Sequence, residues 1–231
     1  MEEKFDITDI LLERPHGFSV KKKKFYLYPQ TLGVQAVIQS IAKSLDIDME
    51  ILGKNPALES LRLVELHKAE CCRIISYSTF KTKEEIYDLD KVMKRSRFFE
   101  QNLDNEGIAM LVLHILTSDK TAKAMNSLGI DKEQNRLRKI IAVTENKHSV
   151  NVGGVSAYGT LIDAACERYG WTFDYVVWGV TYTNLRLLLA DKITQLYLSD
   201  DELKKARRYT HKAVRADSEE GRRMIRDMDW S

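Results

Sequence analysis

The side chains in this sequence that could do chemistry are five histidines, three cysteines and one serine in a glycine loop. His16, His67, His114, His148 and His211 are scattered. None stands three or four residues from a second histidine, and none completes a metal-binding signature. His114 falls inside the apolar run Ile108–Leu116 and is expected to be a hydrogen-bonded core residue rather than a base. Cys71 and Cys72 are neighbours, which rarely bridge, and Cys166 stands alone. Without a CxxC or Cys/His spacing, all three read as small buried apolar side chains in a reduced, cytoplasmic setting.

Gly153 to Leu161 invites two motif readings. A phosphate-cradling loop needs lysine directly after its last glycine, where this chain has Thr160. A nucleophile elbow needs glycine two residues after its serine, where Tyr158 follows Ser156. Each near miss lacks the residue that carries the mechanism, and the plain reading is a flexible entry to a helix. Glu84 and Glu85 sit in a first helical turn, where the helix dipole and a cap account for them. No catalytic residue, metal-ligand set or cofactor signature emerges, so the chain is expected to be non-enzymatic.

The elements that carry these side chains follow from composition and spacing. The chain has 231 residues, 44% apolar and 30% charged, with a net charge of +2. These values exclude a disordered or collagen-like chain. Its three prolines, Pro15, Pro29 and Pro56, leave the last 175 residues free of helix breakers of that kind. No apolar run approaches the roughly 18 residues of a membrane span. Met1 to Ile10 holds four acids and does not read as a signal peptide.

The fold class expected is mainly α, a helical domain with a small N-terminal β-hairpin. Residues 1–14 read as a short helix or loose arm. Residues 17–20 and 25–28 flank Lys21–Lys24 as two short extended runs. Thr31 can cap a helix from Leu32 to Leu45. Asn55-Pro56 opens another that runs to Ser78. Thr82 and Glu85 form a capping box for a helix reaching Phe99. Further helices are predicted over 104–116, 119–128, 131–142, 156–168, 173–179 and 182–198, and Ser199 with Glu202 caps a last one over 200–215. No repeat of fixed period is present. The breaker-rich stretch 149–159 marks a boundary, giving an N-terminal arm and hairpin (1–30), a helical region (31–148) and a C-terminal helical region (149–231), all compatible with one continuous domain.

Charge is unevenly spread. Residues 1–20 carry five acids against two bases, while 204–215 carry six bases and no acid. Lys204, Arg208, Lys212 and Arg215 line one helical face. Nucleic acid could meet such a face or the lysine run. Yet acids at 200–202 and 217–220 dilute the field, and lysines on a hairpin guard its edge against pairing. A solvated helix or a contact for an acidic protein is the nearer reading.

The most distinctive stretch is Tyr169–Leu198, with Trp171, Phe173, Tyr175, Trp178, Tyr182 and Tyr197 punctuated by Gly170 and Gly179. Core packing accounts for many such rings, but tryptophan and tyrosine also anchor interfaces. The segment GVSAYGTLIDAACERYGWTFDYVVWGVTYTNLRLLLAD (154–191) resembles the C-terminal part of tail assembly chaperone-like proteins of tailed phages and prophages, of the type found with Bacteroidetes hosts. KKFYLYPQTLGVQ (23–35) is similar to the opening of the same proteins.

The resemblance implies a protein made in the bacterial host cytoplasm that binds a tail protein, the tape measure or a tube subunit, during tail morphogenesis. It implies no cofactor, no metal and no membrane or nucleic-acid partner. Trp171, Phe173, Tyr175, Trp178 and Tyr182 are the partner-binding candidates, with Lys204, Arg208 and Lys212 for acidic patches. A structural tail or connector component of the virion, or a nucleic-acid-associated phage protein using the basic helix, are the alternatives.

Overall fold

The computed structural model describes residues 12–143, 156–194, 196–206 and Tyr209. It is 69% helical, with one two-stranded antiparallel hairpin near the N-terminus, as the composition and spacing predict. The chain divides into two compact units. The larger comprises Met1–Leu128 with Gly153–Lys192, and the smaller Gly129–Val152 with Ile193–Ser231. Most of the expected 1–14 arm, the 149–155 glycine stretch and the basic run beyond Ala206 (Tyr209 excepted) fall outside the described residues.

The hairpin pairs β1 (His16–Val20) with β2 (Lys23–Leu27) in the register Phe18↔Phe25 and Val20↔Lys23. The lysine run is therefore split. Lys21 and Lys22 make the turn, with Lys21 at φ 53, while Lys23 and Lys24 begin the second strand. Phe18 and Phe25 stack at 5.7 Å, and Phe25 meets Phe99 edge-on at 4.9 Å. Those rings seat the sheet on the helices, which a lone two-stranded ribbon needs for stability.

Helix α1 (Leu32–Ala42) is capped by the Thr31 hydroxyl, which accepts the Val34 N–H. Helix α2 (Met49–Lys54), absent from the sequence expectation, is capped by Asp48. Its position is fixed from outside: the Asp48 N–H donates to Glu59 at 2.8 Å. Helix α3 (Pro56–Ser78) opens at the Asn55 cap with proline in its first turn, and is kinked at His67.

The single helix predicted from Thr82 to Phe99 is two, α4 (Lys83–Tyr87) and α5 (Leu89–Asn102). Asp88 separates them because its carboxylate accepts the Lys91 N–H and starts a new helix there. Helix α6 (Asn105–Leu116) follows, capped by Asp104. Its residues Ile108, Ala109, Leu111, Val112 and Ile115 are buried, whereas Met110 is exposed.

Helix α3 is the centre of the first core. Its Leu63, Val64, Cys71, Cys72, Ile74 and Ile75 are buried among side chains of the hairpin, α1, α5 and α6. Burial pushes both thiols up to about 12, so Cys71 and Cys72 are inert packing groups. The Ser76 hydroxyl donates to the Val92 carbonyl at 3.0 Å and ties α3 to α5. Arg95 donates to the Thr79 carbonyl just past the end of α3 and lies 3.8 Å over the Phe80 ring. A cation at a helix C-terminus is favoured by the dipole.

Six further helices complete the described chain. Helix α7 (Thr121–Ser127) belongs to the larger unit, and α8 (Ile130–Ile141) to the smaller. Helix α9 (Ala157–Tyr169) is capped by Ser156 and closed by Gly170 at φ 65, a left-handed position that glycine occupies without a Cβ penalty. Helices α10 (Phe173–Trp178) and α11 (Tyr182–Ala190) follow closely. Together these form a second core, in which Ala165, Val176 and Leu185 bury against Leu32 of α1.

The helix predicted over 182–198 ends at Ala190. Ile193 and Tyr197 continue its spacing but are 89% and 87% exposed, and a periodic stripe without burial does not sustain a helix. The last described helix, α12 (Asp200–Ala206), carries the predicted capping box in full. Ser199 Oγ accepts the Glu202 N–H, and Glu202 accepts the Ser199 N–H at 2.9 Å.

Candidate partner-binding site

The two segments that carry the family resemblance meet in the structure. Thr31 and Thr181 form an isolated antiparallel bridge, and the Tyr182 N–H donates to the Gln30 carbonyl at 2.8 Å. The Trp178 indole lies directly over Gly33, where a Cβ would stand 2.5 Å from the ring. The run Gln30-Thr31-Leu32-Gly33 thus forms a seat for Trp178-Gly-Val-Thr-Tyr182. Their separation of about 150 residues hides this pairing from any local reading of the sequence.

Helix α10 holds most of the candidate residues. Thr172 caps it by accepting the Tyr175 N–H. Val176 and Val177 face inward and are buried. Asp174 pairs with Lys83, and Trp178 meets Tyr87 edge-on at 5.6 Å. Both partners lie one turn apart on α4, as Asp174 and Trp178 do on α10, so the two helices run side by side in the same direction. The Asp174 carboxylate holds the Lys83 ammonium above its ordinary pKa.

Two of the remaining rings face outward. Phe173 is 64% exposed and Tyr175 47%. Trp171 stacks on Tyr169 at 4.7 Å and meets Tyr175 edge-on at 5.1 Å. Arg168 lies 5.7 Å over the Tyr169 ring, and the Tyr169 hydroxyl donates to the Leu188 carbonyl at 2.9 Å. Arg168, Tyr169, Trp171 and Tyr175 therefore form one ladder, its middle members Tyr169 and Trp171 half-buried against the second core, with exposed Phe173 between its last two members in sequence. Stacked aromatics lose few rotamers on binding and present a preformed apolar surface.

Trp178 and Tyr182 have different surroundings. Trp178 is half-buried against Gly33 and packs on the first core. Tyr182 is half-buried against the second core, with Arg186 5.4 Å over its ring. The sequence reading grouped five aromatics as one set; the structure exposes Phe173 and Tyr175, half-buries Trp171 against the second core and uses Trp178 to hold α10 on α1. It also brings in Tyr169 and Tyr87. Tyr169 lies two residues before Trp171 and its membership was within reach of the sequence, whereas Tyr87 arrives only through the α4 contact.

Of the basic candidates, Lys204 is exposed and pairs with Asp201 at 3.0 Å, an exposed pair of small energetic weight. Arg208 and Lys212 lie outside the described residues. Ser156, the serine of the near-miss elbow, caps α9 by accepting the Gly159 N–H, and Gly153 and Gly154 lie outside the described residues. His114 is exposed at the end of α6, its ring tilted against that of His16 at 4.6 Å, and not the core residue expected. The apolar run places 114 on the outer side of α6, where β1 rather than a core side chain meets it.

Among the described residues no three His, Cys, Asp or Glu side chains are grouped to hold a metal ion. No helix of the described residues is long and apolar enough to cross a membrane. Compared with family models, with curated proteins and with solved structures, the chain shows no match.

Proposed function

We propose that this chain is a non-enzymatic assembly chaperone for a phage tail protein, the tape measure or a tube subunit, acting in the bacterial host cytoplasm. The observation that carries the reading is the exposed ring set of α10. Phe173 and Tyr175 stand outward on a helix whose other side chains are fixed by Val176, Val177 and the Gly33 seat. Rings held rigidly at a surface are the usual anchors of protein interfaces. A tape measure exposes long apolar helical faces until the tube covers them, and an apolar helix laid against a ring-lined surface is a common recognition mode. The contact between segments 23–35 and 154–191 lends further support, since the two stretches that resemble tail assembly chaperones act as one packing unit.

Co-expression with the candidate tail protein tests the proposal. The chaperone reading expects a complex and more of the tail protein in the soluble fraction, with both effects reduced by Phe173→Asp. Mass spectrometry of purified particles separates it from a virion component, which stays in the particle, whereas a chaperone is absent.

A further inference from the structure

A cavity of about 420 Å³ opens within the larger unit. Three chain segments wall it: residues 13–16 before and into β1, residues 27–30 after β2, and residues 114–120 at the end of α6, with Tyr182 and Thr183 closing one side. Its volume is in the range of small-molecule sites, roughly 300–1,000 Å³. Leu27, Pro29 and Ile115 give it apolar walls.

The charged side chains in the wall are unequal in their commitments. Both carboxylates are engaged. Glu13 Oε1 accepts the Thr181 hydroxyl at 2.5 Å. Asp119 accepts Arg186 at 2.8 Å through one oxygen and the Thr121 N–H at 2.9 Å through the other. The cations are not engaged. Among the described residues neither Arg14 nor Lys120 has an ion-pair partner, and the adjoining rings of His16 and His114, 4.6 Å apart, line the same wall. Donors without acceptors, gathered in a concave site with apolar walls, are complementary to an anionic oxygen group on a small body. Burial raises the Glu13 pKa, which weakens one of the two charges that would repel such a ligand; the other, Asp119, is paired with Arg186.

We propose that this cavity binds a small organic anion, its carboxylate or phosphate group held by Arg14, His16, His114 and Lys120. The surface is distinct from the α10 rings, and the proposal stands whether or not the chaperone reading does.

Proton NMR of the His16 and His114 ring signals, followed through separate titrations with inorganic phosphate and with benzoate, tests it. Saturable movement of both ring signals is expected with at least one probe. Phosphate alone identifies a phosphate site, and benzoate alone a carboxylate with an apolar body. Lys120→Glu and Arg14→Glu, both at exposed positions, are each expected to weaken the saturating probe about tenfold, the loss of one charge-assisted contact. Absence of saturation with either probe, or saturation unchanged in both variants, overturns the proposal.

Discussion

Trp178 covers Gly33 so closely that a Cβ at position 33 would stand 2.5 Å from the indole. This contact joins α1, which follows the hairpin, to α10, which carries the exposed rings.

Gly33→Ala checks the contact. In an open helix this change gains roughly 1 kcal/mol from propensity. Here the added methyl has no room, and overpacking of this kind costs about 1–3 kcal/mol. The expected outcome is a lower urea midpoint, with the double variant Gly33→Ala, Trp178→Leu recovering part of the loss. A gain in stability for Gly33→Ala alone would show that the indole is not held there.

Phe173 and Phe99 provide an internal contrast. Phe99 is fully buried among Phe18, Phe25 and Phe98, so Phe99→Ala is expected to cost about 3–5 kcal/mol in a denaturation experiment. Phe173→Ala removes a largely exposed ring, and its stability effect is expected within about 0.5 kcal/mol.

Much of this was legible in the sequence. The caps at Thr31, Asn55, Thr82 and Ser199 announce their helices because the side chain of each accepts an N–H of the next turn. The alternating run around Lys21–Lys24 announces the hairpin in the same local way. What local signals do not carry is whatever a distant residue decides. Helix α2 depends on Glu59 receiving the Asp48 N–H, the break at Asp88 on a side chain that competes with its own backbone, and the end of α11 on whether Ile193 finds a surface to bury against. The candidate site was half legible for the same reason. The ring-rich segment stands out by composition, but which rings stay outside is fixed by Gly33 and α4.

Glu59 is the one fully buried acid of the described core, held by two hydrogen bonds from Arg62 and one from the Asp48 N–H. Removing one partner of a buried pair costs about 3–5 kcal/mol, but Arg62 is about a third exposed and can recover solvation, so Glu59→Ala is expected to cost about 2 kcal/mol. Thermal unfolding at neutral pH measures it. Glu59→Gln, which keeps the shape and one acceptor, is expected to lose less.

The same residue sets a pH dependence. The Arg62 hydrogen bonds hold the Glu59 carboxyl below its ordinary range, so the folded state binds its proton less readily than the unfolded chain. That stability is present in full above the ordinary carboxylate value of about 4.3 and is lost as pH falls through the lower folded value. His114 adds a second loss at higher pH. Partial desolvation of this otherwise exposed ring, with smaller contributions from His16 and Lys120, depresses its pKa, so the folded state disfavours the imidazolium and stability falls modestly as pH drops below about 6.5. In urea midpoints measured from pH 8 to pH 2, His114→Gln is expected to flatten the decline that begins near pH 6.5, and Glu59→Gln the steeper decline below about pH 4. A profile unchanged by either substitution would contradict these assignments.

The central claim is that the outward rings of α10 bind a tail protein. Its most direct test is affinity of the purified chain for the purified tape measure or tube subunit, with wild type, Phe173→Asp and Trp171→Ser compared after circular dichroism has verified the fold of each. Saturable binding by wild type, weakened about tenfold or more in both ring variants, is the result predicted for aromatic anchors of an interface. Binding of equal strength in all three proteins, or none in the wild type, would contradict it.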